Sequence, residues 1–185
     1  GFLNLAMIPL ITAMMLWFYS FKYKRIFLWG NIVVAFLSGF VIISYWLFEF
    51  FAMKNSVYGF IDCQKHFNLI TNICFIYFAF AFLISLIREI VKDIQDIEGD
   101  KEAKRQTLPI RLGVEKTKKV LYVLMVVFFI LVSVIQYIIF KAGNTWLPVY
   151  GFVMISAPII YVLLKLISAK EKEDFKFLSG ALKII

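Results

Sequence analysis

The stretch Phe67–Gly113, FNLITNICFIYFAFAFLISLIREIVKDIQDIEGDKEAKRQTLPIRLG, changes character in mid-run. Its first part, Phe67–Ile87, has no Asp, Glu, Lys or Arg, and Asn68, Thr71, Asn72 and Ser85 lie mostly near its ends. A bilayer crossing needs about 20 apolar residues, so this part reads as a membrane helix. From Arg88 the chain is densely charged. Asp93, Asp96 and Asp100 follow an i, i+3, i+7 spacing, with Glu89 four residues upstream. At about 100° per residue these four share an arc of roughly 60° on one helix face, while Glu98 points elsewhere. Like charges so spaced repel each other. A divalent cation offsets that repulsion, and clustered carboxylates suit a hard ion such as Mg²⁺, which takes one or two carboxylates, waters and substrate phosphates. Arg88, Lys92, Lys101, Lys104 and Arg105 surround the acids and suit phosphate oxygens. A solvated, mixed-charge helix at a membrane surface has the same letters, and spacing alone does not separate the two readings.

Working outward, the whole chain of 185 residues is 62% hydrophobic and 18% aromatic, with a mean hydropathy of +0.86. A soluble domain is about 45–50% apolar, so this is the composition of an integral membrane protein. Further spans are expected at Phe2–Phe21, Ile26–Phe48, Val120–Phe140 and Ala142–Leu164, and Phe177–Ile185 reads as the first half of a sixth. Pro148 and Pro158 fall in the fifth span, where neighbouring groups satisfy the freed carbonyls. Glu49–His66 reads as a polar connection, Arg88–Lys119 as a charged one, Lys141–Trp146 as a tight turn and Lys165–Lys176 as a charged loop. No β-alternation is visible, so the expected fold is an all-α polytopic transmembrane helical bundle forming a single domain over 1–185. The first apolar run lacks a basic leader and a small-residue cleavage site, and so reads as a span rather than a secretory signal. The chain opens on Gly1 and stops at Ile185 within an apolar run, so both ends read as cut.

The formal charge of +8 is not a nucleic-acid signal here, because its placement follows the membrane. Lys22, Lys24 and Arg25, the basic residues of 88–119, and Lys165, Lys170, Lys172 and Lys176 fall on one side; only Lys54, Lys65 and Lys141 oppose them. Lys and Arg concentrate on the cytoplasmic side, which puts the aspartates there. Cys63, placed in a loop, and Cys74, placed in a span, have no metal or redox spacing, and His66 has no evident partner. Trp17, Trp29, Trp46 and Trp146 fall near expected interfaces, as aromatic belts do.

The string Arg88–Gly113 resembles the second aspartate-rich motif of the UbiA-type membrane prenyltransferases. There a run of the form R-E-x-x-K-D-x-x-D-x-x-G-D precedes T-L-P and L-G, as Thr107-Leu108-Pro109 and Leu112-Gly113 stand here. Lys104 departs from the glycine expected in many relatives. Tyr19-Ser20, Lys24-Arg25 and Gly30-Asn31 resemble the loop between helices four and five of the family. Ser168-Ala169-Lys170 and Asp174-Phe175 through Leu178-Ser179 resemble the start of helix nine. The nearest flavour is a bacterial branch similar to geranylgeranylglycerol-phosphate geranylgeranyltransferases.

The resemblance implies a nine-helix fold, of which this chain supplies helices four to eight and part of nine. It implies Mg²⁺-dependent transfer of an isoprenyl group from a prenyl diphosphate to a lipophilic acceptor, either a glycerol-phosphate lipid or an aromatic quinone precursor. The implied setting is a bacterial inner membrane, with membrane lipid as surroundings and no nucleic-acid partner. Asp93, Asp96 and Asp100 become metal ligands; Lys24, Arg88 and Lys92 hold the diphosphate; Tyr19 and Lys24 are catalytic, Tyr19 shielding the developing cation. The family's first motif, N-D-x-x-D-x-x-x-D, does not occur in the string, so the chain alone is expected to be inactive. The alternative is a non-catalytic polytopic protein, such as part of a transporter or an assembly factor. A transporter favours charge inside its spans, whereas here charge collects at one rim.

Overall fold

The computed structural model describes residues 2–21, 27–53 and 57–185. Lys22, Lys24, Arg25, Lys54 and Asn55 therefore lie outside the described residues. The described chain is helical: α1 Phe2–Phe21, α2 Trp29–Met53, α3 Val57–Gln95, α4 Ile97–Glu102, α5 Leu108–Leu112, α6 Val114–Lys141, α7 Trp146–Gly151, α8 Ala157–Ser168 and α9 Lys172–Ile184. A π-helical turn, Phe152–Ser156, joins α7 to α8. No strand occurs among the described residues. Among the described residues four helical stretches are long and apolar enough to cross a membrane: Trp29–Met53, Gln64–Gln95, Val114–Lys141 and Trp146–Ser168. The all-α membrane architecture expected from hydropathy is thus the one observed, and α1 keeps the expected bounds.

Several connections are shorter than expected. Glu49–His66 is not a polar loop: α2 runs through Met53 and α3 starts at Val57, so Cys63 is helical. Met, Glu, Gln and Lys in this stretch are good helix formers, and a helix need not end where the hydrocarbon does. Likewise α3 continues past Ile87 to Gln95, taking the first charged residues into the helix. Of Lys165–Lys176, only residues 169–171 are non-helical, because α9 begins at Lys172. The expected turn after Lys141 is present, with Gly143 at φ 89, a left-handed conformation that glycine adopts without a Cβ penalty.

The chain forms two compact units, Gly1–Ser85 and Leu86–Ile185, and the division falls inside α3. In the first unit α1 packs on α2. Small residues set the spacing of α2: Ala35 is fully buried, and a Cβ on Gly39 would stand 2.8 Å from the Phe78 carbonyl oxygen of α3. Membrane helices approach closely where such small residues recur at four-residue spacing. Aromatic rings fill the rest, with Phe36 edge-on to Phe78 and Trp46 set 5.5 Å from Phe67. Trp46 is buried, so it serves packing, whereas Trp17, Trp29 and Trp146 stay outward-facing as belt residues do.

In the second unit α6 is the spine. It packs against α5, α7, the π turn and α8, and α9 packs on α8. Leu121, Met125, Phe128 and Val132 form the buried stripe of α6, facing Ile159, Val162 and Leu166 of α8. Pro158 has no N–H to give the preceding turn, and the helix widens to π geometry just before it. Fully buried Ser156 accepts a hydrogen bond from Gln136 Nε2 at 3.0 Å, and Gly151 leaves room for that amide. A polar pair inside an apolar bundle satisfies groups that lipid cannot.

Candidate functional site

The charged segment begins as the last turns of α3. Ile87, Ile90, Val91 and Ile94 bury one face of that helix. The opposite register carries Arg88, Glu89, Lys92 and Asp93, all half-buried. Glu89 Oε1 accepts from Lys92 Nζ at 2.8 Å and lies 3.6 Å from Arg88 Nη1. The sequence put Glu89 on the acidic stripe; here it neutralises the two cations expected to hold phosphate.

At Asp96 the helix breaks, with φ −106 and ψ 19, although the backbone bonds Asp96 N to Lys92 O and Asp100 N to Asp96 O persist at 2.9 Å. The uninterrupted stripe expected from Glu89 to Asp100 is therefore interrupted. A cluster of like charges is unfavourable on a regular helix, and the break relieves part of it. Asp96 is exposed. Asp100 is 4% exposed and accepts from Arg105 Nη1 at 2.9 Å, while the Arg105 N–H bonds the Asp100 carbonyl, also at 2.9 Å. This double clamp closes the turn after α4. Glu98 is exposed and lines a cleft of about 190 Å³ with Ile94, Gln95, Lys170, Lys172 and Phe175.

Among the described residues no three His, Cys, Asp or Glu side chains converge closely enough to cage a metal ion. A protein cage is not what Mg²⁺ requires: one or two carboxylates, waters and substrate phosphates suffice. Asp93, near the end of α3, and Asp96, at the break itself, are two hard carboxylates, a donor set of the kind Mg²⁺ takes. Asp100 joins them only by leaving Arg105. Tyr19 is half-buried in α1 of the first unit. Lys24 lies outside the described residues.

Three side-chain atoms among the described residues are sealed from solvent without a partner: Thr71 Oγ1, Arg88 Nε and Thr107 Oγ1. Each such atom costs about 1–3 kcal/mol. Two of the three belong to the Arg88–Gly113 segment. The sequence singled out Arg88 but used Thr107 only as a letter of a motif. Lys118, read as an orientation charge, instead donates to the carbonyls of Ile167 at 3.3 Å and Ala169 at 3.0 Å. Cations at a helix C-terminus stabilise its free carbonyls, but no sequence signal marks a partner some 50 residues away.

The sequence profile of the UbiA prenyltransferase family matches residues 1–184. The chain belongs to that family. Among curated proteins it is similar to the digeranylgeranylglyceryl phosphate synthase of Methanosphaera stadtmanae, with 32% identity over 98% of this chain and 58% of the relative. The protein of the same name from Methanococcus aeolicus is 30% identical over 96% of this chain and 56% of the relative. That from Thermococcus kodakarensis is 28% identical over 90% and 52%. The chain thus spans just over half the length of these curated relatives, all archaeal, and none of them shares the bacterial source expected from the motif's flavour. No solved structure matches the chain.

Proposed function

We propose that the protein carrying this chain transfers an isoprenyl group from a prenyl diphosphate to a lipophilic acceptor within the membrane, with Mg²⁺. The observation that carries this reading is the Arg88–Gly113 segment: hard carboxylates beside cations, where an apolar helix of membrane-spanning length ends, in a chain of this family. The basic loops support a cytoplasmic position for the segment, within the cytoplasmic membrane.

The chemistry is heterolysis. The C1–O bond of the allylic diphosphate breaks, its electron pair leaves with pyrophosphate, and positive charge develops on C1, where the acceptor's nucleophile then bonds and gives up its proton to the released pyrophosphate or to water. Asp93 and Asp96 would hold the metal, with Asp100 as the third acid once released from Arg105. Lys92 and Arg88 hold phosphate oxygens once released from Glu89, aided by Lys24. When bound, Mg²⁺ supplies a Lewis acid that neutralises the leaving oxygens. Tyr19 offers a π face and hydroxyl to the allylic cation. The relatives' name, digeranylgeranylglyceryl phosphate synthase, favours a glycerol-phosphate lipid as acceptor over an aromatic quinone precursor.

Membranes from cells making the complete protein, fed labelled prenyl diphosphate and each acceptor class, test the proposal. Asp93→Ala and Asp96→Ala are expected to lower transfer at least 100-fold with insertion intact, the scale for losing a charge-stabilising group at a reaction centre. Undiminished transfer removes the metal role.

A further inference from the structure

We propose that the cleft between the charged ends of α6 and α8 binds the headgroup of an anionic phospholipid. Both helices belong to the second unit and pack on each other, so one compact body carries the whole site. The cleft holds about 200 Å³ and is lined by Glu115, Lys118, Lys119 and Tyr122 of α6 and by Leu166 and Ile167 of α8. Its walls are held by the protein itself. Leu166 is buried, and Lys118 donates to the carbonyls of Ile167 at 3.3 Å and Ala169 at 3.0 Å. Those two bonds tie the first turns of α6 to the end of α8.

The cations of the cleft are unequally engaged. Lys118 is occupied by the two carbonyls and by Glu115, whose carboxylate lies 3.8 Å away. Lys119 is exposed and has no hydrogen bond or ion pair among the described residues. Two lysines against one carboxylate leave one positive charge in excess, and it rests on Lys119. Tyr122 lies one turn further into the span and adds a phenol hydroxyl to the lining. Beyond it the same side of α6 is apolar and outward-facing: Val123, Val127 and Ile130 are exposed, as are Leu164 and Ile167 of α8. Cation, then hydroxyl, then apolar surface is the order in which a phospholipid presents its phosphate, its glycerol region and its chains. Basic pockets between membrane helices hold anionic headgroups, and tyrosine favours this depth. A zwitterionic head would set its own cation against the lysines, which an anionic head does not.

The complete protein in detergent, given phosphatidylglycerol or phosphatidylcholine, tests this by native mass spectrometry of the lipid each molecule retains. The wild type is expected to retain phosphatidylglycerol over phosphatidylcholine. Lys119→Gln is expected to weaken that retention about fivefold, the scale for one lysine at an anionic lipid surface. Lys119 is exposed, so the change takes no packing from the fold. Lys116→Gln removes the same charge from the same helix end but outside the cleft, and is expected to retain lipid as the wild type does. Tyr122→Phe keeps the ring, and is expected to weaken retention with an unchanged lipid-free melting temperature; should either cleft variant fail to insert, the other carries the test. Equal retention of the two lipids by the wild type overturns the inference, as does unchanged retention in both cleft variants. Equal weakening by Lys116→Gln and Lys119→Gln overturns it too, since the rim then attracts lipid only through its summed charge.

Discussion

Lys104 holds the backbone at φ 52, in the left-handed region where a Cβ crowds the following carbonyl. The family resemblance places a glycine at this position, and the fold supplies the reason: the chain reverses here, between the end of α4 and the Asp100–Arg105 clamp. The lysine side chain is exposed, so replacing it loses no packing. Lys104→Gly is expected to stabilise the protein by about 1 kcal/mol, the left-handed penalty less glycine's extra entropy. Thermal unfolding in detergent should then show a melting temperature about 2–4 °C higher; a lower one would show that the turn tolerates lysine without strain. This residue was legible as a departure from the family string, but the departure gained a physical meaning only with its dihedral angle. Lys118 is the converse case. In the sequence it is one lysine of a basic cluster, and only the folded chain brings the end of α8 to its Nζ.

Helix α2 depends on a contact that sequence patterning hints at and packing makes strict. Alanine at 35 and glycine at 39 have the spacing of small-residue membrane interfaces. The atom a new Cβ would meet is the Phe78 backbone oxygen, which cannot rotate away as a side chain can. Gly39→Ala is therefore expected to push α2 from α3 and destabilise the protein by about 1–3 kcal/mol, whereas Ser38→Ala, on the exposed side, should leave the unfolding midpoint nearly unchanged. Helix α9 has a different dependence. Asp174 Oδ2 accepts the N–H groups of Lys170 at 2.9 Å and Glu171 at 3.0 Å, which holds its carboxyl below the usual 3.8. A carboxyl lowered on folding stabilises the folded state above its unfolded value and loses that contribution as pH falls through the lowered one. Amide exchange at Lys170 and Glu171 should thus accelerate only below pH 3.8, and Asp174→Asn should abolish that step. A step unchanged in the asparagine variant would assign it to another group.

For the molecule as a whole, the family places its metal and diphosphate between two aspartate motifs, and the string of this chain contains one. The chain by itself is expected to insert into membranes without detectable prenyl transfer, and to gain activity when joined to a segment carrying the first motif. Turnover by the chain alone would show that a single motif suffices. The sequence by itself determined that the protein is a helical membrane protein. Uncharged runs of bilayer length leave a backbone no other way to satisfy its polar groups in lipid. It also marked which residues are proposed to meet a diphosphate and Mg²⁺, because hard carboxylates beside cations are a property of residue type. Only the tertiary structure decided how those residues are engaged. It broke the helix at Asp96, locked Asp100 to Arg105, set Glu89 against Lys92 and left the Thr107 hydroxyl idle. Helical periodicity fixes the direction of a side chain only while the helix continues. Where it stops, a carboxylate's partner is chosen by whichever cation the turn brings within reach, and residue spacing does not carry that choice.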